Sequence, residues 1–230
     1  MIVGKGMVAG ALKDISGWDS DILFSSGVSN SGEKDEENFH KEVELVKSTI
    51  AKLTSPGSFV YFSSTSIFNP LKKSNPYVLH KLKIENLIKD SSQNYLIIRL
   101  PNLVGFSANP NTLTNYLADS IRSGRAINLN QKAFRHLIDT SDLISILNGV
   151  KTNFGKNKQT INIETDRPIS AQQIVLCLEE AMLKKAIINP TVENEDTEKI
   201  DSHLGGHSTN YVWKLTEEYH KRLLKKYYSI

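Results

Sequence analysis

The sequence predicts an α/β fold, a doubly wound parallel sheet with a small C-terminal part, and three observations predict it. An apolar pair at the N-terminus runs into a glycine turn and then into residues at helical spacing. Short β-branched and aromatic runs alternate with amphipathic helical segments along the chain. Small or hydroxyl-bearing segments directly follow the second and third of those runs, as loops do at the C-terminal edge of a parallel sheet.

Each element has its own justification. Ile2 and Val3 open a strand that enters Gly4-Lys5-Gly6, after which Met7, Val8, Ala11, Leu12 and Ile15 recur at helical spacing. Residues 21–25 (DILFS) form a second strand, ending in the small-residue loop 26–31. Phe39, Val43, Val46, Ile50 and Leu53 make one apolar stripe on a helix that starts near Glu36 and is ended by Pro56 and Gly57. A third strand, 58–63 (SFVYFS), leads to a loop around Asn69-Pro70. Asn75 and Pro76 then give an N-cap and a first-turn proline to a helix over 77–89. Residues 95–100 (YLIIRL) are a strand stopped by Pro101, 115–122 a helix, 137–147 a short strand and a helix, 160–163 a strand and 171–184 a helix. Beyond Pro190, Glu193-Asn194-Glu195-Asp196 reads as a surface loop before a last helix over 211–227.

Composition narrows the function. A chain of 230 residues fits one α/β domain with an appendage and can bury a continuous core. Hydrophobic residues at 39% and charged residues at 23% exclude a disordered or fibrous class. The net charge of +3, without a block of like charges, argues against nucleic acid. One cysteine, Cys177, excludes an internal disulfide framework and fits a reducing cytoplasm. No apolar run nears the roughly 20 residues of a membrane helix, and no basic and apolar leader precedes Gly4, so a cytoplasmic location away from membranes is expected.

Two motifs carry chemistry. Gly4-Lys5-Gly6-Met7-Val8-Ala9 fits the dinucleotide-binding pattern in which alanine replaces the last glycine, and it lies between a strand and a helix. Its glycines would let the backbone approach a pyrophosphate; the alternative is a plain tight turn. Tyr77 and Lys81 are four apart, on one helical face, where the alternative is an ordinary surface helix. Such a pair is expected about once by chance, but this one opens the helix after the strand that ends in Ser63-Ser64-Thr65-Ser66. His203 and His207 have the spacing of zinc ligands on a helix, yet Gly205-Gly206 opposes a helix and no third ligand is near, so no metal is expected. Cys177, among Ile174, Val175 and Leu178, reads as a structural thiol.

The order of glycine turn, FVYFSSTSIF, Tyr-x-x-x-Lys, IIRLPNLVG and RHLIDTSDL resembles the extended short-chain dehydrogenases/reductases, the NAD-dependent epimerase/dehydratase family acting on nucleotide sugars. The likeness runs from Gly4 to about Asn162. It implies a Rossmann-like dinucleotide-binding core over 1–150, with a substrate-contacting insertion at about 102–136, and a small substrate-binding part over 151–230. Ser64, four positions before Phe68, would be the catalytic hydroxyl, with Tyr77 as general acid/base and Lys81 favouring its phenolate. Gly4, Lys5, Gly6, Met7, Val8, Ser26, Gly27, Ser63, Lys81, Pro101, Asn102 and Leu103 would bind NAD or NADP. Ser64, Thr65, Asn102 and Arg135 would bind the nucleotide-sugar substrate. Arg99 and Gly105 resemble the segment that reaches nicotinamide and sugar, and Asp139 and Asp142 an acidic pair beside Arg135. A homodimer would form through Phe39, Val43 and Val46 with Leu79, Leu82 and Asn86.

The chain departs from that family in length. Only 63 residues precede Ser64, where relatives have about 100 or more, so the usual second and third strands are expected to be absent. No Asp or Glu stands in 25–31 to read the adenosine ribose, which implies weak cofactor binding that separates NAD poorly from NADP. Thr65 and Ser66 stand where dehydratases carry carboxylates, which favours keto-sugar reduction or epimerisation. The competing reading is a non-catalytic nucleotide- or sugar-binding relative with a degenerate dinucleotide site.

Overall fold

Alternate residues of a strand face opposite sides of a sheet, and here both sides are apolar, so both must be covered. The computed structural model describes residues 1–92, 94–131, 133–191, 200 and 208–230. In chain order it contains β1 (Ile2–Val3), α1 (Met7–Ala11), β2 (Ile22–Phe24), α2 (Glu36–Ile50), β3 (Phe59–Ser64), α3 (Pro76–Ser91), β4 (Tyr95–Leu100) and β5 (Asn102–Val104). There follow α4 (Leu113–Ser123), β6 (Ile127–Asn130), β7 (Phe134–Arg135), β8 (Leu137–Asp139), α5 (Leu143–Phe154), β9 (Gln159–Thr165), β10 (Ile169–Ser170), α6 (Ala171–Met182), β11 (Ile188–Thr191), β12 (Thr209–Trp213) and α7 (Tyr219–Tyr228).

Six strands form the central sheet in the order β1-β2-β3-β4-β9-β12, with every neighbouring pair parallel. Phe59 and Tyr61 of β3 and Ile97 of β4 pack with Val43 and Val46 of α2 and Ile84 and Ile88 of α3. Their neighbours Val60, Phe62, Leu96 and Ile98 pack on the other side with Leu12 and with Ile146, Leu147 and Val150 of α5. This is the doubly wound sheet expected from the alternation. Among the described residues β1 pairs only with β2, so the sheet ends at β1, where the usual second and third strands were expected to be absent.

Several expectations need correction. α1 stops at Ala11, short of Ile15, because Leu12 caps it and the chain turns there, with Ile15 N–H donating to the Leu12 carbonyl. Tyr211 does not open a helix: 209–213 is β12, paired along its length with β9, and α7 begins only at Tyr219, after Glu218 takes a positive φ of 55°. Val43 and Val46, expected at a subunit interface, are buried beneath the sheet of their own chain, whereas Leu45 and Leu79 are exposed. The stretch after Lys151 is divided, since β9 and β12 join the central sheet while β11, α6 and α7 pack with β6 and α4 around a separate apolar cluster. His203, His207 and the acidic run 193–196 lie outside the described residues. No described helix is long and apolar enough to cross a membrane.

α7 is held by polar contacts as well as apolar ones. Tyr227 Oη and Lys226 Nζ donate to Asp139 at 2.7 and 2.8 Å, and Tyr219 Oη donates to Asp142 at 2.5 Å. The acidic pair expected beside Arg135 therefore serves to dock this helix. His220 on the same helix has a buried Nε2 with no hydrogen-bond partner among the described residues. Burial, and then the nearby His136, push its pKa down to about 4. A folded-state pKa below the unfolded value of about 6.5 gives stability that is complete above pH 6.5 and is lost as pH falls toward 4, by up to about 3 kcal/mol. Urea midpoints at pH 7.5 and pH 4.5 should differ accordingly, and His220→Leu should narrow the difference, with buried His136, whose pKa is also lowered, accounting for part of what remains; an unchanged pH dependence in that variant would refute the assignment.

Candidate active site

The C-terminal ends of β1 to β4 open onto a single cleft of about 570 Å³. Its wall contains Lys5, Gly6, Met7 and Val8 from the first turn, Ser26 and Gly27 after β2, Ser63 to Thr65 at the end of β3, Pro101 to Leu103 after β4, and Arg135 of β7. Tyr77 and Lys81 of α3 face the same space. Of the expected cofactor contacts only Gly4 stands back from the wall. It has φ of 133°, and a Cβ there would come within 2.7 Å of the Ser25 carbonyl, so glycine is required to pass β2.

Local sequence places the hydroxyls. Ser64 Oγ accepts from the Ser66 N–H at 3.1 Å and caps the short 3₁₀ turn Thr65–Phe68, which fixes the side chain at the strand end. Asn75 caps α3, its Oδ1 accepting from the Tyr77 N–H at 2.9 Å, and Pro76 occupies the first helical position. Asn75 Nδ2 also donates to the Ser31 carbonyl at 3.2 Å, tying the start of α3 to the loop after β2. Lys81 lies one turn on, with Nζ 5.6 Å from the centre of the Tyr77 ring.

The lysine is not alone. Its Nζ donates to Glu42 Oε1 of α2 at 3.1 Å and to Tyr61 Oη of β3 at 3.0 Å. Glu42 also meets His80 Nε2 at 2.9 Å, the Val28 N–H at 2.8 Å and Tyr61 Oη at 2.8 Å. Burial by itself raises the Glu42 pKa, but the His80 hydrogen bond, the Lys81 charge, Val28 and Tyr61 outweigh it and hold it at about 2. Beneath the cleft, Arg99 donates to Glu85 through Nε at 3.0 Å and Nη2 at 2.6 Å, and Ser63 Oγ donates to Glu85 at 2.7 Å. Arg99 thus sits in the floor, fully buried, and not where a sugar would bind. Gly105 likewise backs a wall, since a Cβ there would collide with Thr140 Oγ1.

The charge of the cleft is one-sided. Lys5, Lys72, Lys81 and Arg135 line it, with no Asp or Glu among the described lining residues. Such a wall favours a ligand carrying several phosphate charges. Among the described residues no group of His, Cys, Asp or Glu could hold a metal ion. Cys177, half-buried on α6, packs against the separate apolar cluster and does not line the cleft, and burial raises its pKa.

The NAD dependent epimerase/dehydratase family model matches residues 22–163, more than half of the chain and all of the segment from β2 through β9 save its last two residues. The chain belongs to this family. No curated protein sequence matches it. Among solved structures, this family member resembles UDP-glucose 4-epimerase from Thermus thermophilus, in complex with NAD, at 12% identity and a TM-score of 0.64, covering 91% of this chain and 77% of the other. UDP-glucose 4-epimerase from Thermotoga maritima, with UDP-glucose, gives 14% identity and 0.66 over 90% and 76%. RMD from Pseudomonas aeruginosa, complexed with NADPH, gives 15% and 0.66 over 94% and 83%. At these identities the likeness shows the fold.

Glu42, Tyr61 and Glu85 escaped the reading of this family member's sequence. One signal was present: Glu42 falls three residues after Phe39 and four before Val46, on the apolar stripe of α2, where an acid has to find a buried partner.

Proposed function

We propose that this family member is an NAD(P)-dependent oxidoreductase or epimerase acting on a nucleotide-linked keto-sugar. The observation that supports it most is the gathering of Ser64, Tyr77 and Lys81 in one cationic cleft at the strand ends. A bound nicotinamide cofactor would supply hydride transfer. The residues fit its diphosphate: Gly6 has nothing within 4 Å of a would-be Cβ, so its backbone can approach a phosphate, and the first N–H groups of α1 have no partner within the helix. Because α1 is only five residues long, its dipole is small and Lys5 takes on more of the attraction.

Each side chain then has a task. Ser64 Oγ already accepts from Ser66, which leaves its O–H to donate to a substrate oxygen. Tyr77 would exchange the proton at that oxygen, and Lys81 would steady the phenolate and the cofactor ribose. Arg135, with Thr65 and Asn102, would hold the nucleotide-sugar diphosphate and sugar. Thr65 and Ser66 provide no acid and base for dehydration. One observation favours the non-catalytic alternative, namely that Glu42 already neutralises Lys81; turnover separates the two.

Tyr77→Phe should lower turnover of a nucleotide-linked keto-sugar by about 100-fold or more while leaving the melting temperature and NADH affinity nearly unchanged. Ser64→Ala should lower turnover and keep cofactor binding, whereas Lys81→Met should weaken both. A Tyr77→Phe enzyme of native activity would defeat the catalytic reading.

With no carboxylate among the described lining residues to grip the adenosine ribose or to repel a 2′-phosphate, NADH and NADPH should bind within about tenfold of each other. Fluorescence titration measures this, and a nanomolar preference for either would contradict it.

The exposed outer face of α2 and α3, with Leu45 and Leu79 exposed, supports a homodimer through these two helices. Light scattering at tens of micromolar should give twice the chain mass; a monomer at that concentration removes the proposal.

A further inference from the structure

Glu42 belongs to α2, yet all four of its partners come from elements that border the cleft. Val28 follows β2, Tyr61 lies in β3, and His80 and Lys81 lie in α3. His80 also stacks on Phe39 of α2 with ring centres 4.5 Å apart, which completes a closed cage around the carboxylate. Only 4% of Glu42 is exposed, so the carboxylate exchanges no contact with water to speak of. Gly27 lies directly on it, since a Cβ at position 27 would stand 2.5 Å from Oε1. The loop that lines one side of the cleft therefore rests on the same two oxygens that hold the lysine on the other.

The donor count of the lysine gives this arrangement a consequence. An ammonium has three N–H bonds. One is shared by the two Glu42 oxygens, nearer Oε1 at 3.1 Å than Oε2 at 3.5 Å, and one goes to Tyr61 Oη, which donates its own O–H to Glu42, so a single N–H remains for a ligand in the cleft. A flexible four-carbon side chain is thereby reduced to one orientation before anything binds.

We propose that Glu42 is a positioning residue of the cleft, which fixes the Lys81 ammonium and the Val28 loop in one geometry so that the last N–H of Lys81 meets the nicotinamide side of the cofactor. The proposal rests on the cofactor reading given above. Glu42 itself touches no ligand and acts through Lys81. The charged and titratable groups facing it are Lys81 and His80 from α3 and Tyr61 from β3, with Tyr77 and Glu85 next beyond Tyr61.

The test uses the full chain with NADH and ADP as probes, because ADP has the diphosphate but no nicotinamide nucleoside. Glu42→Gln should weaken NADH about tenfold and change ADP affinity by less than about twofold. In a Lys81→Met background the same substitution should cause no further loss of NADH affinity, because the residue through which it acts is gone. Glu42→Asp, which keeps the charge, should restore most of the affinity lost in Glu42→Gln. If Glu42→Gln does not fold, comparing Glu42→Gln/Lys81→Met, which buries neither charge, with Lys81→Met alone still gives the decisive leg of the cycle. Equal weakening of NADH and ADP, or a loss of NADH affinity that persists at full size in the Lys81→Met background, would mean that Glu42 only supports the fold, and would overturn the proposal while leaving the cofactor reading intact. A native chain that binds ADP but not NADH would instead overturn the cofactor reading, and the proposal with it.

Discussion

Arg99 and Glu85 face each other with almost no solvent contact, and the geometry of the cleft is set from that pair. Neither charge can be left without the other, since breaking a buried pair costs about 3–5 kcal/mol. Glu85 lies four residues after Lys81 on α3, and its carboxylate also accepts a hydrogen bond from Ser63, the neighbour of Ser64. The helix that carries Tyr77 and Lys81 is thus registered against the strand end that carries Ser64. Arg99 extends the chain of contacts sideways, through Asn162 of β9 at 3.3 Å, whose Nδ2 reaches Asn210 of β12 at 2.8 Å. Four of the six sheet strands and one helix meet in this network.

Glu42 repeats the device one layer higher. Below both carboxylates the face between the sheet and α2 and α3 is apolar, built from Phe24, Phe59, Val43, Val46, Ile84, Ile88 and Ile97. Apolar packing holds the helices on the sheet but tolerates small slides, whereas a carboxylate with four partners has few acceptable positions. The polar groups lie toward the strand ends, where position matters for a ligand, and the apolar ones where only volume matters.

The sequence made the layers legible because their signals are local. The stripe from Phe39 to Leu53 and the Asn75-Pro76 cap mark α2 and α3, and the runs FVYFSS and YLIIRL mark β3 and β4. β12 was misread because Tyr211, Leu215, Tyr219, Leu223 and Tyr227 recur every four residues and imitate one helical face. Only its pairing with β9, 48 residues away, makes 209–213 a strand. The residues expected to bind cofactor or substrate line one cleft, apart from Gly4, but the partners that hold them were out of reach. Glu42 and Lys81 are 39 residues apart and Glu85 and Arg99 14 apart, and no spacing rule links positions that meet only after helices have docked. Arg99 belongs to a segment expected to reach nicotinamide and sugar, and the residues that follow it, Leu100 to Leu103, do line the cleft, while its own side chain, on the opposite face of β4 from Leu100, meets Glu85 instead.

The docking of α7 bears on the order in which the molecule can be completed. Tyr227 and Lys226 bind Asp139, which lies 88 and 87 residues earlier, and Tyr228 Oη donates to Thr114 Oγ1 at 2.8 Å across 114 residues. The layer formed by α4, α6 and α7 therefore has a much longer loop to close than the sheet, whose β3–β4 pairing joins residues 36 apart. During synthesis on the ribosome, β1 to β4 have their partners early, whereas β9 waits for β12 and the layer beside the sheet waits for Tyr219–Tyr228 before its apolar face is covered.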